Sequence, residues 1–124
     1  MTGYVVFAHG SRVESANEAV RAAAGELARA GEFRLVEAAF LELGTPDLAG
    51  AVERLAAAGV DRVVILPYFL TLGLHMERDL PVLVQNISNK HNGLEIVVAP
   101  PLDGHPGLVQ ALLDRARQSG EGVA

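Results

Sequence analysis

Two histidines, His9 and His75, each follow an apolar run of the kind that forms a buried strand. His9 closes Tyr4-Val5-Val6-Phe7-Ala8, and His75 follows Arg62-Val63-Val64-Ile65-Leu66 at the end of the segment Pro67–Leu74. A carboxylate, Glu42, follows a third run, Arg34–Leu41. Two imidazoles and one carboxylate make a metal-ligand set that leaves coordination positions open for water or substrate. A closed structural site more often uses four ligands, commonly with thiolates, and the chain has no cysteine. The same groups can accept and return protons near neutral pH. The chemistry they suit is metal handling or proton transfer rather than electron transfer. The histidines lie far apart in the chain, so their spacing is no motif; the warrant is a fold that brings them to one edge.

The elements around them supply that fold. Strand and helix alternate four times: strand Tyr4–Ala8, then helix Ser15–Ala30 with Ser15 as N-cap and Gly31 as its stop. Next come strand Arg34–Leu41 and a helix with Thr45 as N-cap and Pro46 in its first turn, running to about Ala58 before Gly59. Strand Arg62–Leu66 leads into a long connection, Pro67–Arg78. Asp79 is expected to cap a third helix, with Pro81 in its first turn, ending near His91-Asn92-Gly93. Strand Glu95–Val98 and helix Pro106–Gln118 complete the pattern. Alternating strands and helices imply βαβ units, an α/β fold with an open parallel sheet and helices on both faces. Right-handed crossovers then give the strand order 2-1-3-4. In that order His9, Glu42 and His75 share the carboxyl edge, where open α/β sheets bind ligands.

The chain of 124 residues reads as one domain, 1–124, half of it hydrophobic and therefore able to bury a core. Its longest apolar stretch, Val63–Leu74, is broken by Pro67, Thr71 and Gly73 and falls short of the ~20 residues of a membrane span. No basic segment leads into an apolar one at the start, so neither a signal peptide nor a membrane location is expected, and the cytoplasm is. A net charge of −5 with scattered basic residues argues against nucleic acid as a partner. Walker A, Gly-x-Gly-x-x-Gly and Gly-x-Ser-x-Gly patterns are absent.

The connection Pro67–Arg78 is long and apolar, carrying Tyr68, Phe69, Leu70, Leu72, Leu74 and Met76. It packs under the next helix, or it forms a wall for a flat organic ligand; Tyr68, Phe69, Leu70, Thr71 and Gly73 are the candidate contacts for the latter. Ser11 and Arg12 follow His9 in the first strand–helix loop, where side chains and helix N–H groups can receive an anionic group. His105, in Asp103-Gly104-His105-Pro106, reads as a loop residue one strand further out. His91 reads as structural, on the opposite edge.

Taken in order, Val6-Phe7-Ala8-His9-Gly10-Ser11-Arg12, Phe40-Leu41-Glu42-Leu43-Gly44-Thr45-Pro46, Leu66-Pro67-Tyr68-Phe69-Leu70-Thr71-Leu72-Gly73-Leu74-His75 and Ala99-Pro100-Pro101-Leu102-Asp103-Gly104-His105-Pro106 resemble the sirohydrochlorin chelatases. These small class II chelatases insert cobalt, nickel or iron into an early tetrapyrrole. The resemblance spans essentially the whole chain, and its most specific part is the run from Pro67 to His75. It implies that His9 and His75 are the metal-handling and catalytic pair, with Glu42 as an auxiliary ligand. It also implies that no cofactor is permanently bound, and that Co²⁺, Ni²⁺ or Fe²⁺ is a substrate. The family's fold is bilobal and this chain supplies one lobe, so the resemblance implies a homodimer with the tetrapyrrole in a cleft between or beside the lobes. A carrier that binds metal or tetrapyrrole without turnover would use the same residues. A histidine phosphatase shares the His9-Gly10 pair but wants an arginine where Ala8 stands.

Overall fold

The computed structural model describes residues 1–120; positions 121–124 of the expected single domain lie outside the described residues. Four strands, β1 (Thr2–Ala8), β2 (Val36–Phe40), β3 (Arg62–Pro67) and β4 (Glu95–Val98), form one sheet in the order β2-β1-β3-β4. Every pairing is parallel, as the alternating pattern requires. The helices are α1 (Glu14–Gly31), α2 (Leu48–Ala57), α3 (Gly73–Ser88) and α4 (Pro106–Ser119).

The central strand β1 is buried almost throughout because both its faces are covered. Val5 and Phe7 join Ile65 and Val63 of β3 under α2 and α3, in a core that includes Leu48, Leu55 and Leu80. Val6 and Ala8 face the other way, meeting Ala38, Phe40 and, on α1, Ala24. Burial alternates along β3 as well, which fixes the register that delivers each strand end to the carboxyl edge.

Three element boundaries differ from the sequence expectation. Helix α1 begins at Glu14, so Ser15 is inside it and is not the N-cap; Ser11 Oγ instead accepts from the Val13 N–H at 3.0 Å. Helix α2 is capped by Asp47, whose Oδ1 accepts from the Gly50 N–H at 2.8 Å. Thr45 and Pro46 precede it, joined by a cis peptide bond, and the Pro46 carbonyl accepts from the Phe40 N–H.

The third difference matters most for the site. Helix α3 starts at Gly73, not after Asp79, so the connection from β3 is only residues 68–72. Met76, Leu80 and Ile87 recur at helical spacing and bury against the sheet. That burial outweighs the break expected of Pro81, which sits inside the helix rather than in its first turn. His75 therefore stands on the first turn of a helix rather than in a loop. Gly73 has φ 75°, a left-handed conformation that suits glycine at this junction.

Helix α4 begins with His105 as N-cap, its Nδ1 accepting from the Gly107 N–H at 2.9 Å. None of its residues is buried.

Candidate metal-handling site

The carboxyl edge is organised by pairings that continue beyond the strands. Leu41 N–H donates to the Ala8 carbonyl at 2.9 Å, Glu42 N–H to the His9 carbonyl at 3.1 Å, and Tyr68 N–H to the Phe7 carbonyl at 2.7 Å. His9 and Glu42 thus leave the sheet side by side. Their side chains meet with Nδ1 of His9 3.8 Å from Oε1 of Glu42, both more than half exposed. At that distance and exposure the pair attracts weakly and leaves both groups free to engage a ligand.

Gly10 makes this approach possible. Its φ is 97°, and a Cβ there would lie 1.7 Å from the Glu42 carbonyl oxygen. Asn17 ties the same two loops from beneath and is 1% exposed. Its Oδ1 accepts from the Ser11 N–H at 2.9 Å, while Nδ2 donates to the carbonyls of Ser11 and Leu43 at 2.9 and 3.0 Å. A buried amide whose donors and acceptor are all matched fixes its neighbours well. The sequence reading missed Asn17, although it carried a signal: Asn17, Val20, Ala24 and Leu27 occupy the stripe of α1 that faces the sheet, and only one of them is polar.

His75 enters from the other side. It lines an open cavity of about 540 Å³ together with His9, Leu41, Phe69, Thr71, Leu72 and Asp79. Nη2 of Arg78 lies 3.2 Å from Nδ1 of His75, and Nε of Arg78 donates to Asp79 at 3.1 Å. Arginine has only donors, so Nδ1 of His75 is the acceptor in this contact. Phe69 stands edge-on to both Phe7 and the His9 ring, with centroids 5.9 and 6.4 Å away. It is therefore both a core residue and a cavity wall, which joins the two readings of this apolar segment.

The remaining expected contacts divide. Thr71 lines the histidine cavity, while Tyr68 and Leu70 are exposed at the same edge, 44% and 71% accessible. Ser11 is committed to the loop through Asn17 and Val13. Arg12 is exposed, with no hydrogen-bond or ion-pair partner among the described residues. His105 is occupied as the cap of α4, and His91 lies in the turn after α3. Among the described residues no group of three or more His, Cys, Asp or Glu side chains converges closely enough to hold a metal ion. His9, Glu42 and His75 share an edge without forming a closed ligand cage.

An open parallel sheet in the order β2-β1-β3-β4, with His9 and Glu42 leaving its carboxyl edge, defines the doubly wound α/β class, whose members bind ligands at the switch point. The chain belongs to the CbiX family, whose family model matches residues 3–119. It is 30% identical over 139 residues to the sirohydrochlorin cobaltochelatase of Methanopyrus kandleri, covering 96% of this chain and 97% of that one. It is 32% identical over 119 residues to the sirohydrochlorin cobaltochelatase of Sulfolobus acidocaldarius, covering 96% and 93%. Among solved structures, a CbiX protein from Marinobacter aquaeolei VT8 superposes with a TM-score of 0.85 at 26% identity, covering 98% of each chain. SirB from Bacillus subtilis with Fe³⁺ shares the fold, with a TM-score of 0.87 at 22% identity. That match covers 96% of this chain but 47% of the SirB chain. Among the described residues no helix is long and apolar enough to cross a membrane.

Proposed function

We propose that this protein inserts Co²⁺ into sirohydrochlorin, with Ni²⁺ or Fe²⁺ as further candidate substrates. The observation that carries the reading is the shared cavity: His9 and His75, brought from opposite ends of the site, line one apolar-walled space. The cobaltochelatase relatives, matched over nearly their full length, supply the reaction class.

Insertion requires that M²⁺ lose its water shell and that the macrocycle lose two pyrrolic N–H protons. His9 and His75 act as metal ligands and proton acceptors, and Glu42 assists His9 as a third, auxiliary ligand. A site with open positions can pass its metal on, whereas a tight cage would retain it. Phe69, Thr71 and Gly73, with the exposed Tyr68 and Leu70, provide the face for the flat macrocycle. Arg12, exposed in the loop before α1, meets its peripheral carboxylates. The protein works as a homodimer in the cytoplasm, a second copy completing the cleft; the doubled length of the SirB chain supports a two-lobed assembly.

The test is the absorbance change of sirohydrochlorin with Co²⁺ under anaerobic conditions and catalytic amounts of protein. Multiple turnovers above the spontaneous rate are expected. Binding of metal or macrocycle without acceleration would identify a carrier instead.

A further inference from the structure

The first turns of α3 set His75, Arg78 and Asp79 on one exposed face, at the helical spacings i, i+3 and i+4. Met76 and Leu80 bury another face and hold this stretch of backbone against the sheet. The three polar side chains are therefore fixed at their roots and free at their tips. Nη2 of Arg78 reaches Nδ1 of His75 at 3.2 Å, while Nε of Arg78 donates to Oδ1 of Asp79 at 3.1 Å. His75 and Asp79 both line the histidine cavity, so the guanidinium stands at its margin.

That contact opposes metal binding by His75. A neutral imidazole has one nitrogen with a free lone pair, and its other nitrogen carries the ring proton. While the lone pair of Nδ1 faces Arg78, the ring has none for a cation. Histidines that hold metals ordinarily donate from their other ring nitrogen to a carboxylate, carbonyl or water; here an arginine donates toward the ring. The guanidinium is also a permanent cation that repels an arriving M²⁺. For His75 to take a metal ion, Arg78 must first leave.

The group that can draw it away follows from its chemistry. Arginine grips a carboxylate through two parallel N–H···O bonds, and charge-assisted bonds are roughly twice as strong as neutral ones. The bond from Nε to Asp79 leaves the Nη1–Nη2 edge able to turn outward while the side chain stays anchored. With the side chain 71% exposed, that turn meets little packing. The tetrapyrrole of the chelatase reading brings peripheral carboxylates to this same cavity.

We propose that Arg78 is a latch on His75, keeping the imidazole from metal ions until a carboxylate of the macrocycle takes up the guanidinium. The proposal rests on the chelatase reading and adds a coupling between its two substrates. Macrocycle binding frees the ring for Co²⁺, and by linkage each ligand tightens the other by the same factor. Without the macrocycle the site holds Co²⁺ less tightly, so it does not trap metal that it has nowhere to insert.

Calorimetric titration with Co²⁺ tests the latch, with and without saturating copper-loaded sirohydrochlorin. That probe carries the substrate's carboxylates, and its square-planar centre is already filled. The parent is expected to bind Co²⁺ at least about 5-fold more tightly when the probe is present. Arg78→Ala is expected to bind Co²⁺ more tightly than the parent without the probe, and to lose most of the gain that the probe brings. The tightening in Arg78→Ala should persist in high salt, which screens a plain charge effect between exposed groups but not competition for a lone pair. Equal Co²⁺ affinity of the parent with and without the probe overturns the latch, and so does a tightening that high salt removes. The parent titrations decide the matter by themselves should the variant not fold. Turnover is read separately. Co²⁺ insertion without coupling sinks the latch alone, coupling without insertion sinks the chelatase reading alone, and a protein that binds neither Co²⁺ nor the probe sinks both.

Discussion

The backbone N–H of Glu42 donates to the carbonyl of His9 at 3.1 Å, so the loops after β1 and β2 leave the sheet in register. That single pairing sets the imidazole and the carboxylate 3.8 Å apart without burying either. Position comes from the backbone, and the side chains remain free for a ligand.

Gly10→Ala is expected to disrupt this register. The new methyl would sit 1.7 Å from the Glu42 carbonyl oxygen, at φ 97°. The backbone conformation alone costs about 1–3 kcal/mol for a residue with a side chain, and relief of the clash must push the Glu42 loop away. A lowered midpoint in denaturant melts and weakened Co²⁺ binding are both expected. A variant as stable as the parent would show that the two loops do not need this approach.

Asn17→Ala should loosen the same loops from beneath. It strands the Ser11 N–H and the carbonyls of Ser11 and Leu43. An unsatisfied buried polar group costs about 1–3 kcal/mol, so thermal melting should fall clearly. Val63→Ala, a core change at the far end of β3, serves as the control. Co²⁺ affinity should fall for Asn17→Ala more than for the control at similar loss of stability. Equal effects would reduce Asn17 to a purely structural residue.

Helix α1 also gives a pH dependence. The Arg21 guanidinium, 2.7 Å from Glu14, holds that carboxyl below its ordinary value, aided by the Asn17 amide. A lowered carboxylate stabilises the fold above its unfolded pKa and loses that contribution as pH falls through the folded one. The stability difference between parent and Glu14→Gln should therefore be present at pH 7 and shrink below about pH 4.3. Melting curves at pH 7 and 3 check it. A difference that grows in acid would contradict the assignment.

Most of the fold was legible because its signals are local and repeated. Apolar runs such as Tyr4–Ala8 and Arg62–Leu66, separated by helical stretches ending at Gly31 and Gly59, fix both the strands and their order. Boundaries were less legible where two signals compete. Asp79 and Pro81 look like a helix start, but Met76 and Leu80 bury together one turn earlier and win. The Thr45-Pro46 pair likewise resembles a cap and first turn, whereas the Asp47 carboxylate makes the capping bond. At the site, the strand-end placement of His9 was legible, whereas His75 reaches the same cavity from the first turn of α3. The link through Asn17 was not legible, because it depends on which face of α1 meets the sheet.

Helix α3 brings a further expectation. Arg78 occupies Nδ1 of His75 through a 3.2 Å contact. Arg78→Ala frees that nitrogen, and Co²⁺ titrations should show tighter binding than in the parent. Weaker binding would mean that Arg78 orients the ring for its ligand rather than competing with it.

The most direct measurement compares initial rates of Co²⁺ insertion into sirohydrochlorin for the parent, His9→Ala and His75→Ala, each confirmed folded by circular dichroism. Loss of positioned proton transfer alone is worth about 100-fold or more, so each single variant should fall by at least that factor. Folded variants turning over at the parental rate would contradict the assignment of the two histidines to the reaction.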